Sequence, residues 1–146
     1  MTTDLDPGLV RLLASSRRGV LGTIRRDGRP QLSNVDYAYD PERAMVRVSV
    51  TDDRAKARNL RRDPRAVLHV TTPDLGAYVV IDGVATLSAV AGDPHDEAVN
   101  ELVSVYRAIS GEHPDWDEYR AAMVADHRLV VRLPAGRGYG WAPRAG

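Results

Sequence analysis

Short stretches of alternating apolar and polar residues, separated by tight-turn signals, recur along most of this 146-residue sequence. Apolar and polar residues alternate over Met45–Val50, which is the period-two pattern of a half-buried strand. Gly19–Ile24 and Arg29–Tyr39 flank the pair Asp27-Gly28, a strong short-range signal for a hairpin turn. These segments predict consecutive antiparallel strands.

Three later segments extend this strand pattern. We expect strands at Ala66–Val70, at Tyr78–Leu87 with a break at Asp82-Gly83, and at Arg128–Leu133. Residues 134–146 are rich in glycine and proline, and we expect them to form a tail. The chain therefore contains six predicted strands, or seven if the break divides one of them.

Four other segments have helical rather than strand periodicity. They span Pro7–Arg17, Asp52–Arg62, Asp93–Ile109 and Pro114–Ala125. Many short antiparallel strands around one inserted helix, with a helical pair before the last strand, favour an α+β fold. We predict a six- or seven-stranded antiparallel β-barrel with peripheral helices, formed by residues 1–146 as a single domain.

The composition argues against several classes of function. The absence of cysteine removes disulfides, thiolate nucleophiles and the usual zinc and iron–sulfur ligand sets. The four histidines are scattered without metal-ligand spacing, so no metal site is predicted. The formal net charge is zero, and the arginine-rich helix lacks neighbouring aromatic residues, which argues against a nucleic-acid partner.

The sequence also lacks the signals of secretion and of membrane insertion. Its N-terminal residues do not resemble a secretory signal, and no apolar run approaches the roughly 20 residues that span a bilayer. We therefore expect a cytoplasmic protein with no membrane partner.

The segment Asp52–Arg62 has the most specific charge pattern. Exposed N–H groups at a helix N-terminus favour anions by about 0.3–1 kcal/mol, so the cations Arg54 and Lys56 are unusual in this first turn. A bound phosphate would interact favourably with both the helix and the side chains. In the alternative interpretation, Asp52 and Asp53 already complement the helix dipole and the arginine-rich face is solvated.

Lys56 is the only lysine among 20 basic residues. An ammonium group is a compact point charge suited to phosphate, whereas the guanidinium fork of arginine is larger. This difference favours a binding role for Lys56, together with Arg54. Arg58, Arg61 and Arg62 are interpreted as surface charge.

Three segments resemble the flavin- and deazaflavin-binding split barrels related to pyridoxamine 5'-phosphate oxidase. They are Gly19–Thr23, Asp27–Val35 and Arg54–Arg65. Tyr106-Arg107 followed by Gly111–Trp116 is similar to the actinobacterial branch of F420-dependent enzymes. The resemblance covers nearly the whole chain and implies a split β-barrel.

The same resemblance implies a cofactor site shared by the two subunits of a homodimer. The residues beside the tricyclic ring would be Gln31, Leu32, Ser33 and Asn34. The phosphate-binding residues would be Ser49, Arg54, Ala55 and Lys56, and Asn59 is included because it shares the helix face of Lys56. The residues approaching from the partner subunit would be Ala77, Tyr78 and Tyr139.

The resemblance further implies an oxidoreductase that transfers a hydride between the deazaflavin coenzyme F420 and a small organic substrate. One alternative is an FMN-dependent oxidase or reductase of the pyridoxamine phosphate oxidase type, and another is a non-catalytic flavin-cofactor-binding protein. No catalytic residue is assigned. Tyr37, Tyr78, Tyr139 and water are unranked candidates for the proton donor.

The tip of the first predicted hairpin carries Arg25, Arg26 and Arg29. Such charges are usually solvated. They would also suit the polyglutamate tail of F420, because that tail needs cations along its exit path. The sequence does not decide between these interpretations.

Overall fold

The computed structural model describes residues 3–144, and this part of the chain contains four helices and nine strands. The helices are α1 (Pro7–Ser15), α2 (Ala55–Arg62), α3 (Glu97–Ser110) and α4 (Trp116–Ala125). The strands are β1 (Arg18–Ile24), β2 (Pro30–Asp36), β3 (Ala38–Asp40), β4 (Met45–Thr51), β5 (Arg65–Thr71), β6 (Tyr78–Val84), β7 (Thr86–Leu87), β8 (Arg128–Pro134) and β9 (Gly138–Trp141).

The strands form two antiparallel sheets. The order is β2-β1-β5-β6-β9 in the five-stranded sheet and β3-β4-β8-β7 in the four-stranded sheet. In the smaller sheet, β4 pairs with β8 over its whole length, from Met45 opposite Pro134 to Thr51 opposite Arg128. The predicted α+β architecture of antiparallel strands with peripheral helices is confirmed.

The number of strands exceeds the predicted six or seven, partly because two predicted strands are divided. The return strand of the hairpin is divided at Tyr37, whose side chain is 1% exposed and whose hydroxyl donates to the Leu13 carbonyl at 2.7 Å. The predicted strand 78–87 is divided at Ala85, whereas β6 continues through the expected break at Asp82-Gly83.

The predicted tail contains a further strand, β9, which pairs with β6. A Cβ atom on Gly138 would lie 2.1 Å from the Val80 carbonyl oxygen, and one on Gly140 would lie 2.2 Å from that of Tyr78. The glycines that suggested a tail therefore permit the close approach of β9 to β6. Residues 1–2 and 145–146 of the predicted domain lie outside the described residues.

All four predicted helices are present, and three of them begin later than expected. The Asp96 carboxylate caps α3 by accepting from the Val99 N–H at 2.8 Å, and Asp115 caps α4 by accepting from the Glu118 N–H at 3.1 Å. Among the described residues, no helix combines the length and the apolar character needed to cross a bilayer.

The inner faces of the two sheets enclose one apolar core. Alternate residues of β4, from Val46 to Val50, are at most 2% exposed and share this core with Leu68 of the larger sheet. Helix α2 adds Ala57 and Leu60, which lie three residues apart and therefore on one helix face. This packing fixes the start of α2 beside the end of β4.

Helices α3 and α4 cover the outer face of the smaller sheet, where a second apolar cluster includes Val99, Leu102 and Val130. An ion cluster extends this contact. Arg47 of β4 and Arg132 of β8 lie directly opposite one another, and the carboxylate of Glu101 from α3 lies between their guanidinium groups. Arg132 Nε donates to Glu101 Oε2 at 2.9 Å.

We predict that Glu101→Gln lowers the free energy of unfolding by about 1–3 kcal/mol, because it leaves two opposed guanidinium groups without a counter-ion. Urea denaturation measures the change. Glu42→Gln is the matched control, since Glu42 is exposed in the β3–β4 turn and the substitution makes the same change in charge. A loss no larger than that of the control would show that the cluster does not stabilise the fold.

Candidate functional site

The turn between β4 and α2 leaves the N-terminus of α2 without a side-chain cap. The helix begins at Ala55 rather than at the predicted Asp52, and its first turn contains no acidic residue. Arg54 occupies the N-cap position and makes no capping hydrogen bond. The carboxylate of Asp52 instead pairs with Arg61. An anion at this helix N-terminus would therefore meet N–H groups that no side chain caps.

Four cations around this helix N-terminus have no acidic partner within 4.0 Å in the part of the chain that the structure describes. They are Arg54, Lys56, Arg58 and Arg128. The other arginines of α2 are engaged, because Arg61 pairs with Asp52 and Arg62 donates to the Ile24 carbonyl at 2.6 Å. Arg61 and Arg62 are exposed, as expected of the surface charge that they were interpreted to be, whereas Arg58 belongs with the unpaired group.

The surroundings of Lys56 disfavour the positive charge of its ammonium group. Burial lowers the pKa of the Lys56 ammonium below its ordinary value of 10.5, and the positive charges of Arg54 and Arg128 lower it further. The sequence-based prediction did not include Arg128. No local pattern marks this residue, because its proximity to α2 results from the pairing of β8 with β4.

One cleft, of about 320 Å³, lies between strands β2 and β4 and helices α3 and α4. Its polar lining includes Asn34, Ser49 and Lys56, which come from three separate elements and were all predicted to bind the cofactor. The helices contribute an aromatic and apolar wall that includes Tyr106 and Met123. The structure therefore brings part of the predicted ring and phosphate sites together.

A second cleft, of about 590 Å³, adjoins the start of α2. Its side chains are those of Thr51, Asp53, Arg54, Ala55, Arg58, Asp126 and Arg128. Three arginines and two aspartates give this lining a net charge of +1. Arg128 lines both clefts, so they meet at this residue.

The four predicted ring residues lie on β2, an edge strand of the larger sheet. Gln31 and Ser33 are half-buried, whereas Leu32 and Asn34 are exposed, as the alternation of a strand requires. Only two of the four side chains can therefore face the same side of the sheet. The free edge of β2 also offers backbone N–H and C=O groups to a flat ligand.

Asn59 is buried beneath β2 rather than exposed at the cleft. Its amide nitrogen donates to the Thr23 hydroxyl at 3.1 Å and to Gln31 Oε1 at 2.7 Å, so both amide hydrogens are used inside the protein. This bond fixes the side-chain oxygen of Gln31 toward Asn59. The amide group of Gln31 therefore has its nitrogen available as a donor on the side away from α2.

Ala77, Tyr78 and Tyr139 lie far from α2 within one subunit. Tyr78 is on β6 and Tyr139 on β9, and both side chains are exposed, whereas Ala77 is buried. Strand β9 is four strand positions from β2, which corresponds to about 19 Å at roughly 4.8 Å per strand. Within one subunit, Tyr139 thus lies at the opposite edge of the sheet from the ring residues of β2.

The structure also separates the three tyrosines named as proton-donor candidates. The hydroxyl of Tyr37 is bound to the Leu13 carbonyl in the core, and burial raises the pKa of Tyr37 well above its ordinary value. Tyr37 is therefore a structural residue, and Tyr78 and Tyr139 remain accessible. No group of three or more His, Asp or Glu side chains within residues 3–144 could hold a metal ion.

The hairpin tip lies at the other end of α2 from Arg54. Arg62, in the last turn of α2, donates to the Ile24 carbonyl at the end of β1, where the tip begins. Arg25 pairs with Asp27 inside the turn at 3.4 Å. The tip is thus separated by the length of α2 from the unpaired cations at its N-terminus.

Comparison with known proteins identifies the family. The family model described as pyridoxamine 5'-phosphate oxidase matches residues 5–141. The chain belongs to this family. The resemblance to the split barrels related to pyridoxamine 5'-phosphate oxidase is confirmed, and with it the split-barrel fold.

Several solved structures share this split barrel. A conserved hypothetical protein of Mycobacterium tuberculosis is 25% identical with a TM-score of 0.72, over 99% of this chain and 92% of that one. An F420 reductase is 24% identical with a TM-score of 0.69, over 92% of this chain and 98% of that one. A heme binding protein of Mycobacterium smegmatis is 22% identical with a TM-score of 0.61, over 89% of this chain and 54% of that one.

The residues present fit the phosphate of a flavin-type cofactor. The Nε atom of Arg128 is buried and has no hydrogen-bond partner among the described residues. The N-terminus of α2 is uncapped, and Lys56 is held beside Arg54 and Arg128 at an electrostatic cost. A phosphate anion would offset the positive charge of these side chains and accept from the N–H groups of the helix N-terminus.

We predict that the Lys56 ammonium titrates below 10.5 in the folded protein and that inorganic phosphate raises its pKa. At pH values below the pKa of Lys56 in the folded protein, the protonated side chain lowers the free energy of unfolding. This destabilisation disappears as the pH rises from the folded-state pKa toward the unfolded-state pKa. Affinity for an anion falls as the pH rises through the folded pKa, because the ammonium charge is lost.

A chain labelled with ¹⁵N-lysine gives one side-chain signal, since Lys56 is the only lysine. The chemical shift of this signal is followed by NMR as the pH is raised, and the midpoint of its change gives the pKa of Lys56. The urea-unfolded chain is the reference. A folded-state midpoint equal to or above that of the unfolded chain would contradict the prediction.

Proposed function

We propose that this protein is an F420-dependent oxidoreductase that transfers a hydride between the deazaflavin and a small organic substrate. The observation that carries the proposal is the group of unpaired cations at the uncapped N-terminus of α2, next to the free edge of β2. The family match and the structural likeness to an F420 reductase support a flavin-type cofactor at this position.

In this proposal, the phosphate is bound by Lys56, Arg54 and the hydroxyl of Ser49, with the backbone N–H of Ala55 at the helix N-terminus. The ring lies along β2, beside residues 31–34. Asn59 acts through Gln31 by fixing the orientation of its amide. Anchoring the phosphate at one end and the ring along a rigid strand limits the positions that the ring can adopt.

The bound cofactor would supply the hydride chemistry, and the chain supplies binding, orientation and a shielded cleft. Tyr106, Tyr119 and Met123 form the wall of the first cleft opposite β2 and β4. An apolar and aromatic wall of this kind excludes water and suits a flat organic substrate. We assign no catalytic side chain.

The second cleft favours F420 over FMN in this proposal. It continues from the phosphate site and adds Arg58, a cation that the proposed phosphate site does not use. An acidic polyglutamate tail, which FMN lacks, would be attracted there. The tail is therefore better placed at this cleft than at the hairpin tip, where Arg25 is already paired with Asp27.

Two other functions remain as alternatives. FMN would use the same phosphate site, and a protein that only carries a flavin cofactor would need the same binding residues. Cofactor titration separates F420 from FMN. Oxidation of the reduced cofactor in the presence of enones, quinones and nitro compounds separates an enzyme from a carrier.

We predict that the apoprotein binds F420 more tightly than FMN and that Lys56→Ala weakens binding at least tenfold while the fold is retained. The variant removes the ammonium that faces the phosphate in this proposal. Fluorescence titration measures affinity, and circular dichroism measures the fold. Arg43→Ala, an exposed charge deletion in the β3–β4 turn, is the control. Tighter binding of FMN would overturn the choice of cofactor, and unchanged affinity of Lys56→Ala would remove α2 from the site.

We also propose that two copies form a homodimer through the outer face of the larger sheet. This face exposes apolar and aromatic side chains, among them Leu32, Val67, Tyr78, Tyr139 and Trp141. Their exposure is unusual for so many large side chains on one sheet. A second copy would cover them and would bring Tyr78 and Tyr139 toward the partner's β2.

We predict that Val67→Lys shifts the protein toward the monomer, because the charge would be buried in the apolar interface. Val67 is 38% exposed in one subunit, so the new ammonium can reach solvent in the monomer and the subunit itself is expected to fold. Light scattering after size exclusion measures the mass. Ala108→Lys places the same charge on the exposed side of α3 and should leave the dimer intact. A monomeric wild-type protein would rule out the dimer.

A further inference from the structure

Arg128 is held in a defined position by the backbone around it. It is the first residue of β8 and lies directly opposite Thr51, the last residue of β4. His127 before it has a left-handed backbone with φ 53°, and the His127 carbonyl accepts from the Asp52 N–H at 2.9 Å. This bond ties the α4–β8 turn to the loop that leads into α2.

The side chain of Arg128 lies on the outer face of the smaller sheet. Residues directly opposite in an antiparallel pair project to the same side, so Arg128 shares this side with Thr51 and with Ser49 two residues earlier. Arg128 Nη1 donates to the Ser49 hydroxyl at 3.4 Å, near the upper limit for a hydrogen bond. Ser49 is itself a predicted phosphate-binding residue.

The guanidinium group of Arg128 is poorly satisfied compared with that of Arg132, which is on the same strand and the same face. Arg132 binds Glu101 through both Nε and Nη2. Arg128 has no acidic partner within 4.0 Å in the described part of the chain, and its buried Nε has no acceptor there. A buried N–H of a charged group without an acceptor is costly, so the arrangement favours an external acceptor.

The nearby acids do not supply this acceptor. Asp53 and Asp126 line the second cleft with Arg128 but form no ion pair with it, and Asp36 of the first cleft is paired with Arg18 at 3.4 Å. Arg128 is also close enough to Lys56 to lower the pKa of that ammonium. Three cations thus face a common space between the two clefts.

We propose that Arg128 is a third phosphate-binding cation, which contacts the phosphate from the strand side while Arg54 and Lys56 contact it from the helix side. This inference rests on the proposed cofactor site. The fork of N–H donors on a guanidinium group spans two oxygens of one phosphate, and the unpartnered Nε belongs to that fork. Arg128 would therefore orient the phosphate as well as neutralise part of its negative charge.

The test compares ligands with and without the phosphate, and of the two pairs only FMN and riboflavin differ at the phosphate alone. FMN is compared with riboflavin, and F420 with its deazaflavin chromophore that lacks the phosphate and the tail. Arg128→Gln is expected to weaken FMN or F420 binding at least tenfold and to leave binding of the phosphate-free ligand within twofold. Arg43→Gln is the matched control, and Arg128→Lys should recover part of the affinity. Equal weakening of both members of a pair would show that Arg128 only shapes the site.

A second measurement needs no flavin ligand. Inorganic phosphate is titrated into ¹⁵N-lysine-labelled protein, and the Lys56 signal is followed in the wild type and in Arg128→Gln. The variant should show a higher Lys56 pKa without phosphate and a phosphate affinity reduced at least fivefold. If the wild type binds none of the four ligands, the cofactor proposal fails and this measurement alone decides the role of Arg128. Unchanged phosphate affinity in the variant would overturn it.

Discussion

The seven-residue pairing of β4 with β8 is the interaction on which the candidate site depends. It places Thr51, where β4 ends and the loop to α2 begins, directly opposite Arg128. The inward side chains of both strands lie in the barrel core, so a slip of one strand by one residue would turn its core side chains to the outer face and bring its outer arginines into the core. The burial of Val46, Val50 and Leu129 thereby sets the position of a cation cluster on the opposite face.

The outer face of this strand pair contains two arginine groups that differ in their counter-ions. At one end, Arg47 and Arg132 are bridged by Glu101, and helix α3 is held against the sheet. At the other end, Arg128 and the neighbouring Arg54, Lys56 and Arg58 have no acidic partner within 4.0 Å among the described residues. The first group has its counter-ion within one subunit, although the buried Nε atom of Arg47, like that of Arg128, has no acceptor among the described residues. The second group has cations without an acid among the described residues, which is the arrangement expected of the proposed anion-binding site.

The sequence predicted the local features of this protein well. The period-two pattern of β4 and the cations at the start of α2 were visible because each depends on neighbouring residues. Two features were not visible. Strand β9 was not predicted because glycines are also typical of a tail. In the structure, the same glycines allow β9 to approach β6 closely. The position of Arg128 beside the start of α2 was not predicted, because it depends on the pairing of Arg128 with Thr51. No spacing in the sequence indicates that contact.

The structure also shows which of the predicted side chains already have hydrogen-bond partners and which side of the strand each one faces. Asn59 shares a helix face with Lys56 in sequence, but its amide hydrogens are used by Thr23 and Gln31 beneath β2. The alternation of β2 divides the four ring residues between two sides of the strand. Periodicity identified these elements, whereas the hydrogen-bond partners decide which side chains are available to a ligand.

A phosphate anchor does not by itself determine which cofactor is bound. FMN and F420 both carry a phosphate, and a split barrel of the same topology occurs in a heme binding protein. In the proposed site, discrimination would come from contacts on either side of the phosphate. These are the edge of β2 with the wall of α3 and α4, and the cleft that contains Arg58. Arg128 lies where these two clefts meet. In the proposed site, a residue in that position would constrain the direction in which both the ring and the tail extend from the phosphate. The same side chain would therefore influence which ring and which tail the site accepts.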